Sequence, residues 1–310
     1  MNRWLALVAA GPWQSGSWAA LLAIATIFAM SASLVLVAPI LLLASGGVMV
    51  LTTLRQPPSS LARVALIAVG LLTATGFAVG VGGLLAIMLF VVFWAPVMLS
   101  AWAVRRGDLG GGIRLIVILS LLLLFSGHSS NFDPVPLISE YRQLMIDQLA
   151  GAAQSEPAIV RFQLIFDWLQ RYFWGWLSAS FALLWISALM VGRYWHALLD
   201  NEGAFGREFA ALRLGFLPVV ILLLAIAAGL NSQQALAWEV AGLVGFGISW
   251  QGLACVQWQF NVRKAGKLVR WVFYTVLMLF GLQMALVLMV LGLIDALFNV
   301  RSRGLPNNSA

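Results

Sequence analysis

The chain has 310 residues, of which 62% are hydrophobic and only 9% charged, against roughly 25% charged in an ordinary soluble domain. With a mean hydropathy of +0.96, that composition excludes a water-soluble enzyme, and it excludes disorder, which needs low hydrophobicity and high charge. The net charge of +7 lies in basic residues placed between apolar runs, which is a topology signal and not a nucleic-acid footprint.

A spanning helix takes about 20 apolar residues, so the expected fold is an all-α polytopic bundle forming a single membrane domain. Residues 1–17 read as an uncleaved interfacial segment, because the apolar core after Arg3 is short and Pro12 and Trp13 follow it. Trp18 to Thr53 is too long for one crossing and right for a tight helical hairpin. Pro39 lies near the turn, because proline starts a helix more easily than it continues one. Ala62–Val79 and Gly82–Val104 read as the next two spans, joined at the turn Gly80-Val81-Gly82-Gly83. Arg105, Arg106 and the Gly110-Gly111-Gly112 run mark a loop, and Ile113–Phe125 is a shorter crossing.

The character then changes. Over 127–171, Leu137, Tyr141, Leu144 and Leu149 recur at helical spacing, as do Val160, Leu164 and Trp168, with charges on other faces. That pattern predicts amphipathic helices lying on the membrane or capping the bundle. Phe173–Val191 is a span, 192–214 a charged connector, Gly215–Leu230 a span, 231–234 a polar turn, and Ala235–Trp258 a further span. Trp271–Phe298 is the last apolar run, and 299–310 a polar tail. The expected count is eight spans plus a ninth run that is either one crossing or two short helices bent near Gly281.

Lys and Arg concentrate in alternate loops. If the N-terminus is cytoplasmic, the other side holds only Arg142, Arg161 and Arg171, so the bias predicts a cytoplasmic N-terminus and connector and an outer 127–171 segment. The lone cysteine, Cys255, excludes an intramolecular disulfide and a cysteine metal cluster. His128 and His196 leave little for a histidine site. Neither cofactor nor metal is expected. There is no HExxH, P-loop or GxSxG motif, so the expectation is not an enzyme.

Several side chains carry two readings. In the connector, Arg193, Trp195, Gly203, Phe205, Arg207, Glu208 and Arg213 either meet a protein or lipid phosphates or form an elbow whose arginines fix topology. Asp295, an acidic group at membrane depth, either carries a proton or cation or forms an ion pair with Arg301 or a basic residue of 263–270. Glu239 reads as interfacial. Gln251 and Gln283 either bind a ligand or link helices. Ala19, Ala23, Ala25 and Ala29, with Gly76 and Gly80, are small-residue pairs for close helix packing, internal or against a partner.

The connector Gly192-Arg193-Tyr194-Trp195-His196 through Asn201-Glu202-Gly203-Ala204-Phe205-Gly206-Arg207-Glu208-Phe209, and the C-terminal Gly292-Leu293-Ile294-Asp295-Ala296-Leu297-Phe298-Asn299-Val300-Arg301, resemble the YybS-like family of bacterial membrane proteins, a domain of unknown function. Leu51 to Arg55 and Gln251 to Ala254 also look like that family, and the resemblance covers about residues 15–303. The chain departs from the family pattern at Glu202-Gly203-Ala204 and at Asn299. The family's distant similarity to the substrate-binding S components of energy-coupling-factor transporters implies a small-molecule binder in a bacterial inner membrane, served by a transmembrane coupling subunit with ATPases. Its substrate would sit among the later helices, in a pocket lined by Gln251 and Gln283. The alternative is a membrane scaffold or assembly factor that recruits a protein through its connector. A scaffold is expected to have a dry, packed bundle and an exposed patch over Arg193 to Arg213.

Overall fold

The computed structural model describes residues 2–34, 36–80, 82–151, 156–232 and 234–303. Parts of several expected features therefore lie outside the described residues: Met1 of the N-terminal segment, Val35 of the first hairpin, Val81 of the glycine turn, residues 152–155 of the 127–171 segment, Gln233 of the 231–234 turn, and the tail beyond Arg303. The described chain is an all-α bundle: α1 (Asn2–Val8), α2 (Pro12–Ser31), α3 (Val37–Arg55), α4 (Pro58–Ala78), α5 (Leu84–Leu89), α6 (Ala95–Arg106), α7 (Leu109–Ser129), α8 (Val135–Gly151), α9 (Glu156–Arg171), α10 (Phe173–Asp200), α11 (Ala204–Ala210), α12 (Leu217–Ser232), α13 (Ala235–Val262), α14 (Lys267–Leu279), α15 (Gly281–Phe298) and α16 (Val300–Arg303). Among the described residues, eight helices are long and apolar enough to cross a membrane: α2, α3, α4, α5 joined to α6, α7, α10, α13 and α15. The chain is an integral membrane protein.

The elements follow the sequence logic, with informative departures. Pro12 starts α2 and Pro58 starts α4, each in the first helical turn, where a missing N–H costs nothing. The first span therefore begins inside the stretch read as interfacial, which leaves α1 alone before it. Pro39 likewise falls in the first turn of α3. α5 and α6 run on through a wider π turn at Phe90–Trp94. Pro96 cannot donate to the carbonyl of Val92, and the Trp185 indole N–H of α10 donates to it instead, at 3.0 Å.

α7 begins earlier than the apolar run suggested. Asp108 caps it by accepting from the Gly111 N–H at 2.6 Å, a standard N-cap role. The Gly110-Gly111-Gly112 run belongs to this helix. A Cβ at Gly110 would lie 2.2 Å from the Arg213 carbonyl, so the glycine marks a close backbone approach. The last span before the connector runs to Asp200, so residues 192–200 are helix, and only 201–216 link α10 to α12 around the short α11. Gly76 and Gly80 do not form the helix–helix pair that their spacing suggests. Gly80 lies past the end of α4 at φ 76°, and Gly76 closes its own turn, its carbonyl accepting from the Gly82 N–H.

The main core gathers around Trp94, Ile113, Ile116, Ile186 and Leu189, from α3, α6, α7 and α10 with α2 and α4 against them. Ala19, Ala23 and Ala29 are buried on α2, and Ala25 is half-buried. The Ser45 hydroxyl of α3 donates to the Ala19 carbonyl and accepts from the Trp94 indole, so this small-residue face is spent on internal packing. A second, smaller core joins α12, α13 and α15. The outer surface is apolar, as lipid contact requires; Leu66 of α4 and Leu224 of α12 are examples of exposed leucines.

The alternating helices sort the charges. Arg55 pairs with Asp200, and Arg105 donates to the carbonyls of Thr53 and Gln56. These contacts place the ends of α3, α6 and α10 with the connector at one end, called here the connector end. The α7–α8 and α9–α10 junctions lie at the other. All Lys and Arg residues except Arg142, Arg161 and Arg171 lie toward the connector end.

The Trp271–Phe298 run breaks at Phe280, where φ is −115° and ψ 35°, between α14 and α15. α13 ends toward the connector end, and α15 also finishes against the connector, because Arg301 bonds to the carbonyls of Ala210 and Leu212. The final apolar run thus leaves and returns to the same end. α12, with 16 residues, is shorter than the eight long helices.

Candidate functional site

The connector end carries two polar assemblies. The first is built on the last two turns of α10. Arg193, His196 and Asp200 recur three and four residues apart, which sets them on one helical face. The Arg193 guanidinium donates to Glu208 of α11 through Nε at 2.9 Å and through Nη2 by a further close contact. Its Nη1 lies 3.0 Å from His196 Nδ1. Arg can only donate, so Nδ1 accepts and the proton sits on Nε2. His196 Nε2 is 3.2 Å from Asp200 Oδ2, and Asp200 Oδ1 is 3.0 Å from Arg55 Nη2. The result is a ladder, Arg55–Asp200–His196–Arg193–Glu208, across the ends of α3, α10 and α11. Beside it lies a cleft of about 300 Å³, bounded by Gly107, Asp108, Gly110, Arg193, Glu208 and Leu212.

The second assembly is buried. Asp295 accepts from Arg301 through both oxygens, at 3.1 and 2.5 Å, and Oδ2 also accepts from Gln251 Nε2 at 2.8 Å. Gln251 Oε1 accepts from the Leu214 N–H at 2.9 Å. Arg301 spends two further N–H groups on the carbonyls of Ala210 and Leu212, at 2.6 and 2.7 Å. The two side chains of the pair are 4% and 1% exposed. A buried ion pair is tolerated only when its spare lone pairs and protons are hydrogen-bonded, and here four of the five Arg301 N–H groups and both Asp295 oxygens are. The helices that bring it together touch closely: a Cβ at Gly252 would lie 1.8 Å from the Leu288 carbonyl, and one at Gly292 2.3 Å from that of Ile248. The assembly is a clasp that holds α13, α15 and the connector together.

The structure therefore brings Gln251 and Asp295 into one network but leaves Gln283 apart, on the exposed side of α15. Gln251 is buried with its amide bonded to Asp295 and the Leu214 N–H, whereas Gln283 is exposed. Among the predicted connector residues, Arg193 and Glu208 pair with each other. Trp195 is half-buried and meets Trp4 edge-on at 6.0 Å, and Phe205 packs with Tyr194 and Phe209. Gly203 is a left-handed turn residue at φ 84° that leads into α11. Arg207 and Arg213 are exposed, with no ion-pair partner among the described residues.

Sequence reasoning missed Arg55, His196 and Asp200 as members of the ladder. For His196 and Asp200 the signal was helical spacing continued past Val191. Glu239, near the outer end of its helix, is buried against neighbouring helices. Glu239 Oε2 contacts His128 Nε2 at 2.5 Å and Oε1 accepts from the Gly175 N–H at 2.9 Å. That contact pins α7, α10 and α13 together at the far end. The Tyr274 phenol of α14 donates to Gln257 Oε1 at 3.1 Å. Among the described residues, no three His, Cys, Asp or Glu side chains converge to hold a metal ion.

Comparison with family models, curated proteins and solved structures gives no match to this chain.

Proposed function

We propose that this integral membrane protein is a scaffold or assembly factor whose working surface is the connector end. The observation that carries this reading is the division of the polar groups. Gln251 and Asp295, the side chains best placed to line a substrate site, are consumed by the buried clasp. Arg207 and Arg213 stand exposed on the connector, next in sequence to Glu208 and Leu212, which border the cleft. Exposed cations beside a preorganised ladder suit an acidic protein surface, where complementary charge sets specificity and encounter rate. The excess of Lys and Arg at that end supports a cytoplasmic connector and N-terminus under the positive-inside rule. A bacterial inner membrane and membership of the YybS-like family are part of the same proposal, supported by the connector and C-terminal motifs.

The second reading, a small-molecule binding component of transporter S-component type, is favoured by one observation: the cleft of about 300 Å³ between the α6–α7 loop and α11, which is at the small end of ligand pockets.

The test compares the wild-type chain with an Arg207→Glu, Arg213→Glu double variant, each isolated gently from its native membrane. A scaffold loses a stoichiometric protein partner in the variant while its thermal stability is unchanged. Retention of the same partner by the variant, or recovery of a bound small molecule with no protein partner from the wild type, overturns the scaffold reading.

A further inference from the structure

We infer that α14 and the loop before it form a binding site for an anionic phospholipid in the leaflet at the connector end. Three observations converge on it. The first is charge. Arg263, Lys264, Lys267 and Arg270 fall within eight positions, and the sequence holds no Asp or Glu between Glu239 and Asp295. Among the described residues none of the four pairs with a carboxylate. Arg270 spends its donors on neutral groups, the carbonyls of Ala265 and Phe260 and the Asn261 amide oxygen, which stiffens the loop and leaves its charge uncompensated.

The second observation is shape. One face of α14 forms a shallow groove of about 410 Å³ lined by Lys267, Arg270, Trp271, Tyr274, Thr275 and Met278. Its chemistry runs in order along the helix: cations in the first turn, amphipathic aromatics in the second, Thr275 and Met278 in the third. From Lys267 to Met278 this gradient covers roughly 16 Å at the helical rise. It matches a phosphate headgroup followed by the start of an acyl chain. Trp271 and Tyr274 sit where aromatic side chains mark a membrane interface.

The third observation is exposure. No residue of α14 is buried. Its outer apolar side chains, such as Leu268 and Leu279, run on into exposed Leu282 and Leu286 of α15. The apolar end of the groove is therefore continuous with the lipid-facing surface, which selects a lipid as occupant over a soluble acidic segment. Cations at the surface end of such a helix gain from anionic headgroups.

The experiment is native mass spectrometry of the full-length protein released from nanodiscs of equal phosphatidylglycerol and phosphatidylcholine. The wild type is expected to retain phosphatidylglycerol in preference. Lys267→Gln alone should lower that preference about fivefold, the effect of removing one cation near an anionic surface. Adding Arg263→Gln and Lys264→Gln should abolish it. An Arg207→Gln, Arg213→Gln variant removes exposed charge at the same end and should keep the wild-type preference. Met278→Asp tests the acyl end with every cation in place and should also lower retention. Equal retention of the two lipids by the wild type, an unchanged preference in the triple variant, or an equal loss in the Arg207 and Arg213 control would each overturn the site.

Discussion

The two polar assemblies at the connector end use the same chemistry to opposite effect. The clasp, Asp295 with Arg301 and Gln251, is sealed from solvent, and almost every donor and acceptor in it has a partner inside the protein. The ladder from Arg55 to Glu208 is half open: the Arg55 and Asp200 side chains are 32% and 42% exposed, and Glu208 39%. Burial makes the clasp costly to break and unavailable for a ligand. Exposure makes the ladder energetically modest and free to meet a partner. Depth, and not residue type, separates the structural ion pair from the candidate functional one.

That contrast can be broken in order of expected effect. Asp295→Ala leaves a buried, uncompensated guanidinium, and should cost about 3–5 kcal/mol of stability in thermal or denaturant unfolding in detergent. An Asp295→Leu, Arg301→Met double variant should recover much of that loss, because a packed apolar pair avoids the desolvation cost; equal damage from the single and double variants would mean that the clasp is not one unit. Gly252→Ala should come next, at about 1–3 kcal/mol, because the new Cβ meets the Leu288 backbone and not a movable side chain. Glu239→Gln at the far end should cost about 1–3 kcal/mol, since it weakens the acceptor shared by His128 and Gly175. Arg55→Ala, in the open ladder, should cost only about 0.2–1 kcal/mol. An Arg55 effect as large as that of Asp295 would remove the distinction between the assemblies.

The fold class was legible because hydropathy alone separates a bilayer-solvated bundle from a soluble one. Helix ends were harder wherever polar residues served packing. Gly110 to Gly112 look like a loop, yet they lie in α7, where Gly110 passes the Arg213 carbonyl. Arg193, His196 and Asp200 look like the start of a connector, yet they are one polar face of α10. The break in the last run falls at Phe280, next to the Gly281 that the charge bias pointed to. For the site, Asp295 with Arg301 was one of two pairings visible in the sequence. The carbonyls of Ala210 and Leu212 that complete the clasp were not visible, because backbone acceptors leave no trace in residue identity. Gln283 and Gln251 looked equivalent as amides; only the tertiary packing sends one into the clasp and the other to the exposed surface.

The central claim is that interaction takes place at the connector surface while the bundle beneath it is closed. Site-specific photo-crosslinking in native membranes tests it most directly, with the probe placed in turn at Arg207, Arg213 and the lipid-facing Leu66 and Leu224. The account predicts one common protein adduct at positions 207 and 213, absent at 66 and 224. Lipid adducts alone at all four positions, or protein adducts confined to 66 and 224, would contradict it.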